Sequence, residues 1–273
     1  MKQNDQPAGI RILGEDIDFV INGIKLLHDV NFKIEEGVFT GLIGANGSGK
    51  TTLLKTIYRT YAPSRGAVYL DGVDIHSLKP KIAAQKIAVL PQEHRAIFDF
   101  PVIEMVMMSR YARKGFFEME TAGDEAICEQ ALRQVGLYSM RDRNFLSLSG
   151  GEKQRVLLAA AFAQGAGIII LDEPANHLDI GQQLLIMDII KNQPSATVFA
   201  SIHDLNLAAR YCDKLIALKN GRIAAEGILE DVITPELIRE LFRVEARIER
   251  EPENGRFNIR YLAACDDPNI FDK

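Results

Sequence analysis

The chain has 273 residues, 47% of them hydrophobic and 25% charged, which suits one large α/β domain or a domain carrying an insert. A formal net charge of −5 argues against a nucleic-acid partner, which usually calls for a basic excess. Cys128, Cys212 and Cys265 are odd in number and far apart, and the opening MKQNDQPAGI lacks the basic and apolar regions of a signal peptide; both features point to free thiols in a reducing compartment.

In chain order, Ile10 to Phe39 reads as short strands with tight turns at Asn22-Gly23 and Glu36-Gly37. VFTGLIG (38–44) is a buried strand running into a glycine-rich turn, and KTTLLKTIYRTY (50–61) has helical spacing. SRGAVYLDG (64–72) and KIAVLPQ (86–92) read as two further strands. Residues 93–147 are rich in Met and aromatics, helical in pattern and without a clear strand, so a helical insert is expected there. The nearly apolar run 156–171 is broken by Gln164, Gly165 and Gly167. It is too short to span a bilayer and reads as helix, turn and strand. A helix (151–164), strand (167–172), helix (181–191), strand (196–202) and helix (205–212) follow. This alternation predicts a mostly parallel sheet with helices on both faces. Beyond 246 the chain is polar and expected to be a tail, leaving a single domain over 1–245.

Residues 44–51, GANGSGKT, fit the P-loop pattern G-x-x-x-x-G-K-[ST] between an apolar strand and a helix. Asn46, Gly47, Ser48 and Gly49 can present successive backbone N–H groups to phosphate oxygens. Lys50 supplies a point charge for the β- and γ-phosphates, the Thr51 hydroxyl can ligate Mg²⁺, and Thr52 continues the cradle. GIIILDEP (167–174) places Asp172 at the carboxyl end of a buried strand, where open α/β sheets bind ligands. Asp172 is expected to hold Mg²⁺ and Glu173 to act as general base on an attacking water. The bare pair Asp-Glu would otherwise be a solvated acidic turn. No N-K-x-D element for guanine occurs, so ATP is favoured over GTP.

His203 directly follows the apolar run TVFASI. Alone it reads as a core or capping histidine; beside a P-loop it is a candidate γ-phosphate contact. Gln92 closes the KIAVLPQ strand and is either a surface residue or a ligand of Mg²⁺ or the attacking water. A second cradle lies at LSLSGGEKQR (146–155), where serines and adjacent glycines run into a helix start, leaving N–H groups free at the positive end of its dipole. One nucleotide needs one such cradle.

These pieces, in this order, resemble the ATP-binding cassette (ABC) ATPase family. GANGSGKTT is similar to its Walker A motif, Gln92 to its Q-loop, LSGGE (148–152) to its signature, IIILDE to its Walker B, NHLD (176–179) to its D-loop and His203 to its switch histidine. The resemblance implies a P-loop NTPase core with an antiparallel β-subdomain (about 10–39) and a helical insert (about 93–147). It also explains the second cradle. Two copies of such a chain dimerise head to tail, and Ser149, Gly150 and Gly151 of one would bind the nucleotide held by the other, with Asp179 linking the two sites. Within the family, HDLNLAARYCDKLIALKNGRIAAEG (203–227) and EPANHLDIGQQ (173–183) look most like importer ATPases for iron–siderophore complexes, haem and cobalamin. Such importers join two ATPases to two membrane-spanning permease subunits at the cytoplasmic face of the inner membrane, with a binding protein delivering cargo. Zinc or manganese importers and soluble scaffold ATPases, as in iron–sulfur cluster assembly, share the same core motifs.

The resemblance places Ile21 where an aromatic usually stacks on adenine, with Phe19 as the substitute on the same strand face. Ala175 stands where Ser or Thr commonly opens the D-loop. In the insert, Phe98, Phe100, Met105, Met107, Met108, Phe116 and Phe117 either pack a small local core or leave an apolar patch for the permease.

Overall fold

Buried and exposed side chains alternate along the second half of β2 (Ile24–Glu35), which pairs antiparallel with β1 (Ile10–Ile21). Their connection, Asn22-Gly23, has φ of 51° and 77°, the left-handed pair that a two-residue hairpin turn requires. The computed structural model describes residues 9–92, 99–115, 118–193, 196–251 and 255–265. After β3 (Phe39–Ile43) and α1 (Lys50–Ile57) come β4 (Arg65–Leu70) and β5 (Val73–Asp74). The four-stranded sheet runs β2-β1-β4-β5, all antiparallel. The β-subdomain is therefore not the segment 10–39. It loses Phe39, which opens the central strand of the other sheet, and gains 65–74. The reason is the Asp71-Gly72 turn, with φ of 49° and 78°: a turn that tight folds β4 back on β5, whereas a parallel neighbour needs a long crossover.

The rest of the chain alternates. α2 (Pro80–Lys86), β6 (Ile87–Leu90), α3 (Val102–Met107), α4 (Ala122–Gln134), α5 (Gly150–Ala163) and β7 (Ile168–Asp172) are followed by α6 (Ile180–Lys191), β8 (Thr197–Ser201), α7 (Leu205–Tyr211), β9 (Lys214–Lys219) and β10 (Arg222–Ile228). The six-stranded sheet runs β10-β9-β3-β8-β7-β6, parallel except for the β10 edge. Its inner strands are apolar on both faces, as a covered parallel sheet requires. Phe39, Ile43, Ile169, Leu171, Val198 and Ala200 face one core with α5, α6 and α7, while Leu42, Ile168, Ile170 and Phe199 face the other with α1 and the β-subdomain.

The helical insert packs α3 and α4 against α5 around its own core of Val102, Val106, Cys128, Leu132, Phe145 and Val156. Met107 belongs to that core and Met105 packs partly against it, whereas Met108 is exposed. Phe100 is half-buried, and Phe98, Phe116 and Phe117 lie outside the described residues. α4 begins with a capping box between Thr121 and Asp124. Asp124 also pairs with Arg110 and Lys114 at 3.0 and 3.1 Å.

The described part of the expected tail is folded. After α8 (Leu229–Val232) and α9 (Pro235–Phe242), β11 (Val244–Arg250) and β12 (Phe257–Ala264) form a hairpin, with Ala246 and Ile259 buried in the main core. Most of its other residues are polar or exposed, which is why composition alone suggested no structure. Among the described residues no helix is long and apolar enough to cross a membrane.

Candidate functional site

β3 ends at Ile43 and α1 begins at Lys50, and the loop between them carries positive φ at Gly44, Gly47 and Gly49. At Gly44 a Cβ would come within 2.3 Å of the Leu218 carbonyl oxygen, so only glycine lets the loop leave the sheet so tightly. Lys50 is buried and its ammonium donates to the carbonyls of Gly44 (2.7 Å) and Ala45 (3.1 Å). Burial pushes its pKa down, against the pull of the nearby Glu173 and Asp172 carboxylates. Asn46, Gly47 and Gly49 to Thr52 line a cavity of about 360 Å³ whose wall is completed by Leu26, Gln92 and Glu173. Ser48 is buried beneath it, its hydroxyl oxygen without a hydrogen-bond partner.

Asp172 closes β7 and is 1% exposed. Its Oδ1 accepts hydrogen bonds from Ser201 Oγ (2.6 Å) and Thr51 Oγ1 (3.4 Å), while Oδ2 is buried with no partner. Burial raises its pKa, and the two hydroxyl hydrogen bonds oppose the rise. A buried, unpaired carboxylate oxygen beside a threonine hydroxyl is a donor set that suits a hard divalent cation such as Mg²⁺. The next residue, Glu173, sits in the left-handed region at φ 53°, with its backbone N–H donating to Ser201 Oγ at 2.8 Å. Its Oε2 accepts from Gln92 Nε2 (2.8 Å) and Asn176 Nδ2 (2.7 Å). The carboxylate is thus aimed and held without a cationic partner of its own in those contacts, an arrangement that can accept a proton from a water placed against it.

His203 is exposed two residues beyond β8 and shares a second cavity, of about 150 Å³, with Glu173, Asn176 and Ser201. Glu173 lines both cavities. The P-loop, Gln92, Asp172, Glu173 and His203 therefore converge. Ser149, Gly150, Gly151, Asp179 and Ile21 line neither of these cavities. Ser149 caps α5 through a reciprocal box with Glu152, whose carboxylate accepts from the Ser149 N–H and hydroxyl, each at 2.8 Å. Those bonds hold the Glu152 pKa down. Asp179 caps α6, accepting from Gln182 N–H at 2.9 Å. Both caps are exposed, and neither lines the chain's own P-loop cavity.

Phe19 does not take the place expected of it. It is buried and stacks on Tyr61 with ring centroids 4.8 Å apart, because register shifts on either side of it break the alternation of β1. Ile21 stays 40% exposed, paired with Ile24 at the turn. Sequence reading missed Leu26 on the cavity wall, Asn176 on Glu173 and Ser201 between Asp172 and Glu173. Ser201 lies opposite Asp172 in the β7–β8 register, a relation that no local pattern encodes. Ala175 is buried in the main core, where its methyl group packs and a hydroxyl would need a partner.

Residues 27–176 match the family described as ABC transporter. The iron(3+)-hydroxamate import ATP-binding protein of Bacillus subtilis is 38% identical over 234 residues, which are 85% of this chain and 87% of that protein. A petrobactin import ATP-binding protein of Bacillus anthracis is 34% identical over 252 residues, 89% of this chain and 93% of that one. The cobalamin import ATP-binding protein of Halobacterium salinarum is 36% identical over 249 residues; the match takes in 90% of this chain and 62% of that longer relative. Among solved structures, an ATP-binding cassette dimer in a post-hydrolysis state with ADP and Pi superposes with a TM-score of 0.71 at 28% identity, covering 80% of this chain and 98% of that one. Motif order, cavity and relatives agree: the chain belongs to the ABC transporter family.

Proposed function

We propose that the chain is the ATP-hydrolysing subunit of a membrane importer whose cargo is a metal chelate of the iron–siderophore, haem or cobalamin type. The ATPase reading is carried by one observation: the Glu173 carboxylate, held by Gln92 and Asn176, opens onto the cavity that also contains Lys50 and Thr51. The backbone N–H groups from Asn46 to Gly49 and the Lys50 ammonium, released from its loop carbonyls, bind the β- and γ-phosphates. Thr51, Asp172 and Gln92 would hold Mg²⁺, which when bound would offset phosphate charge; the unpaired Asp172 Oδ2 supports that assignment. Glu173 orients a water and takes its proton. His203, across the adjoining cavity, contacts the γ-phosphate, and Ile21 with Leu26 gives the adenine an aliphatic seat.

The exposed Ser149 and Gly150, with the buried Gly151 behind them, bind the nucleotide of a second copy, with Asp179 facing the same interface. The dimeric state of the related cassette supports this arrangement. Two permease subunits complete the assembly at the cytoplasmic face of the inner membrane, and a binding protein feeds it. A permease segment would dock on the helical insert, where Met108 and Tyr111 are exposed. The names of the import relatives at 34–38% identity support the cargo class.

Glu173→Gln is expected to bind ATP but to lose turnover by at least about 10²-fold, the contribution of a general base. Near-normal hydrolysis would remove Glu173 from that role. Tagged Glu173→Gln protein, recovered with ATP from gently solubilised membranes, should bring down a multi-spanning permease in equal amount. Capture of soluble partners alone, with no protein in the membrane fraction, would replace the importer reading with a scaffold ATPase.

A further inference from the structure

The two glycines at the start of α5 have different surroundings. A Cβ built on Gly150 meets nothing within 4 Å, whereas one on Gly151 would sit 2.6 Å from Gln182 Oε1 and 3.0 Å from both Cδ and Cγ of that side chain. Gly150 is exposed and Gly151 is buried. Gln182 belongs to the first turn of α6, where its backbone N–H donates to the Asp179 carboxylate. Its own amide oxygen is buried and accepts no hydrogen bond. Leaving an amide oxygen dry is unfavourable and calls for an explanation. Deeper in the same seam, Gln154 of α5 donates to the Pro174 carbonyl at 2.9 Å, tying α5 to the chain that leaves Glu173.

We infer that Gln182 is a positioning residue: its amide lies against Gly151 and seats the start of α5 on the start of α6. The phosphate-facing end of α5 and the Asp179 cap of α6 then move as one body. The inference rests on the proposed reading in which both ends face a partner's nucleotide. It assigns the two glycines separate duties. Gly150 is open for the incoming phosphate. Gly151 is small because Gln182 occupies the space where its side chain would be. A shift of α5 on engaging nucleotide is thereby passed to α6 within the same chain, because the Gln182 side chain occupies the space beside Gly151.

The test compares Gln182→Ala, Gly151→Ala and the double variant in the full chain. Steady-state ATPase is measured beside ATP affinity of the monomer, with ATP-driven dimerisation followed by light scattering in a Glu173→Gln background. Gln182→Ala should lower kcat about five- to ten-fold while leaving monomer affinity within about two-fold, since contacting residues couple at that scale. Gly151→Ala, which displaces the same amide, should lower kcat at least as far. The double variant should be no slower than the slower single one. A purely structural contact would lower the melting temperature without separating kcat from affinity. Parental turnover in Gln182→Ala, or losses that multiply in the double variant, would overturn the link. A parent chain that neither hydrolyses ATP nor dimerises with it would instead defeat the proposed function beneath it.

Discussion

In the proposed reading, Asp172 serves the site at the expense of the fold. It is buried at the end of β7 with an unpaired Oδ2, and burial raises its pKa. A carboxyl whose folded pKa is raised binds protons more tightly folded than unfolded, so it disfavours the native state above the ordinary carboxylate range and is neutral in effect below it. Asp172→Asn is therefore expected to melt higher than the parent without ligand at pH 8. The gain should vanish as pH falls below about 4, the ordinary carboxylate range. The same variant should lose the extra stability that ATP with Mg²⁺ confers on the parent. Equal melting temperatures at pH 8 would show that Ser201 and Thr51 already offset the burial. Asp172, Lys50 and Thr51 were legible because a P-loop and an apolar strand ending in acid are local patterns. Ser201 and Asn176 were not, since each matters only through a neighbour brought to it by strand order and by the turn after β7.

At the scale of elements, the C-terminal hairpin is the least expected feature. Two strands alone are marginally stable in water, so β11 and β12 depend on their dock. Asn206 in α7 supplies it, accepting from Ile259 N–H (2.8 Å) and donating to Ile259 C=O (3.2 Å), as a neighbouring strand would. Asn206→Ala leaves both Ile259 groups without these partners, at a local cost of about 1–3 kcal/mol. Amide exchange across β12 should speed up while that of β7 and β8 stays at the parental rate. Unchanged exchange in β12 would mean that burial of Ile259 and Ala246 suffices to hold the hairpin. The insert was easier to read. Its helical periodicity is strong, and three helices meeting on one side must bury their apolar stripes, which puts Met107 inside and leaves Met108 out.

For the molecule as a whole, part of the predicted site lies outside the P-loop cavity. Ser149 and Asp179 cap exposed helix starts and do not line it, so in the proposed reading a lone chain binds ATP and cannot complete the reaction. Ser149→Arg should bind ATP with parental affinity as a monomer and fail both to dimerise with ATP and to turn over. Losing the cap costs about 1 kcal/mol, which a folded domain tolerates, and a melting curve run alongside checks this. Loss of ATP affinity in the monomer would place Ser149 in its own chain's site and end the two-chain account.

The sequence by itself determined the phosphate cradle, the acidic strand end and the parallel core, because each is written within a few residues: glycine spacing, an apolar run, an alternation of helix and strand. It also pointed to LSGGE as a second cradle. Only the tertiary structure decided which sheet 65–74 joins, where Phe19 points and that β11 and β12 pair as a hairpin. It likewise decided that Ser201 bridges Asp172 and Glu173 and that Gln182 fills the space beside Gly151. Those are contacts between segments far apart in the chain, and they follow from the order of strands and the packing of helices, which no local pattern carries.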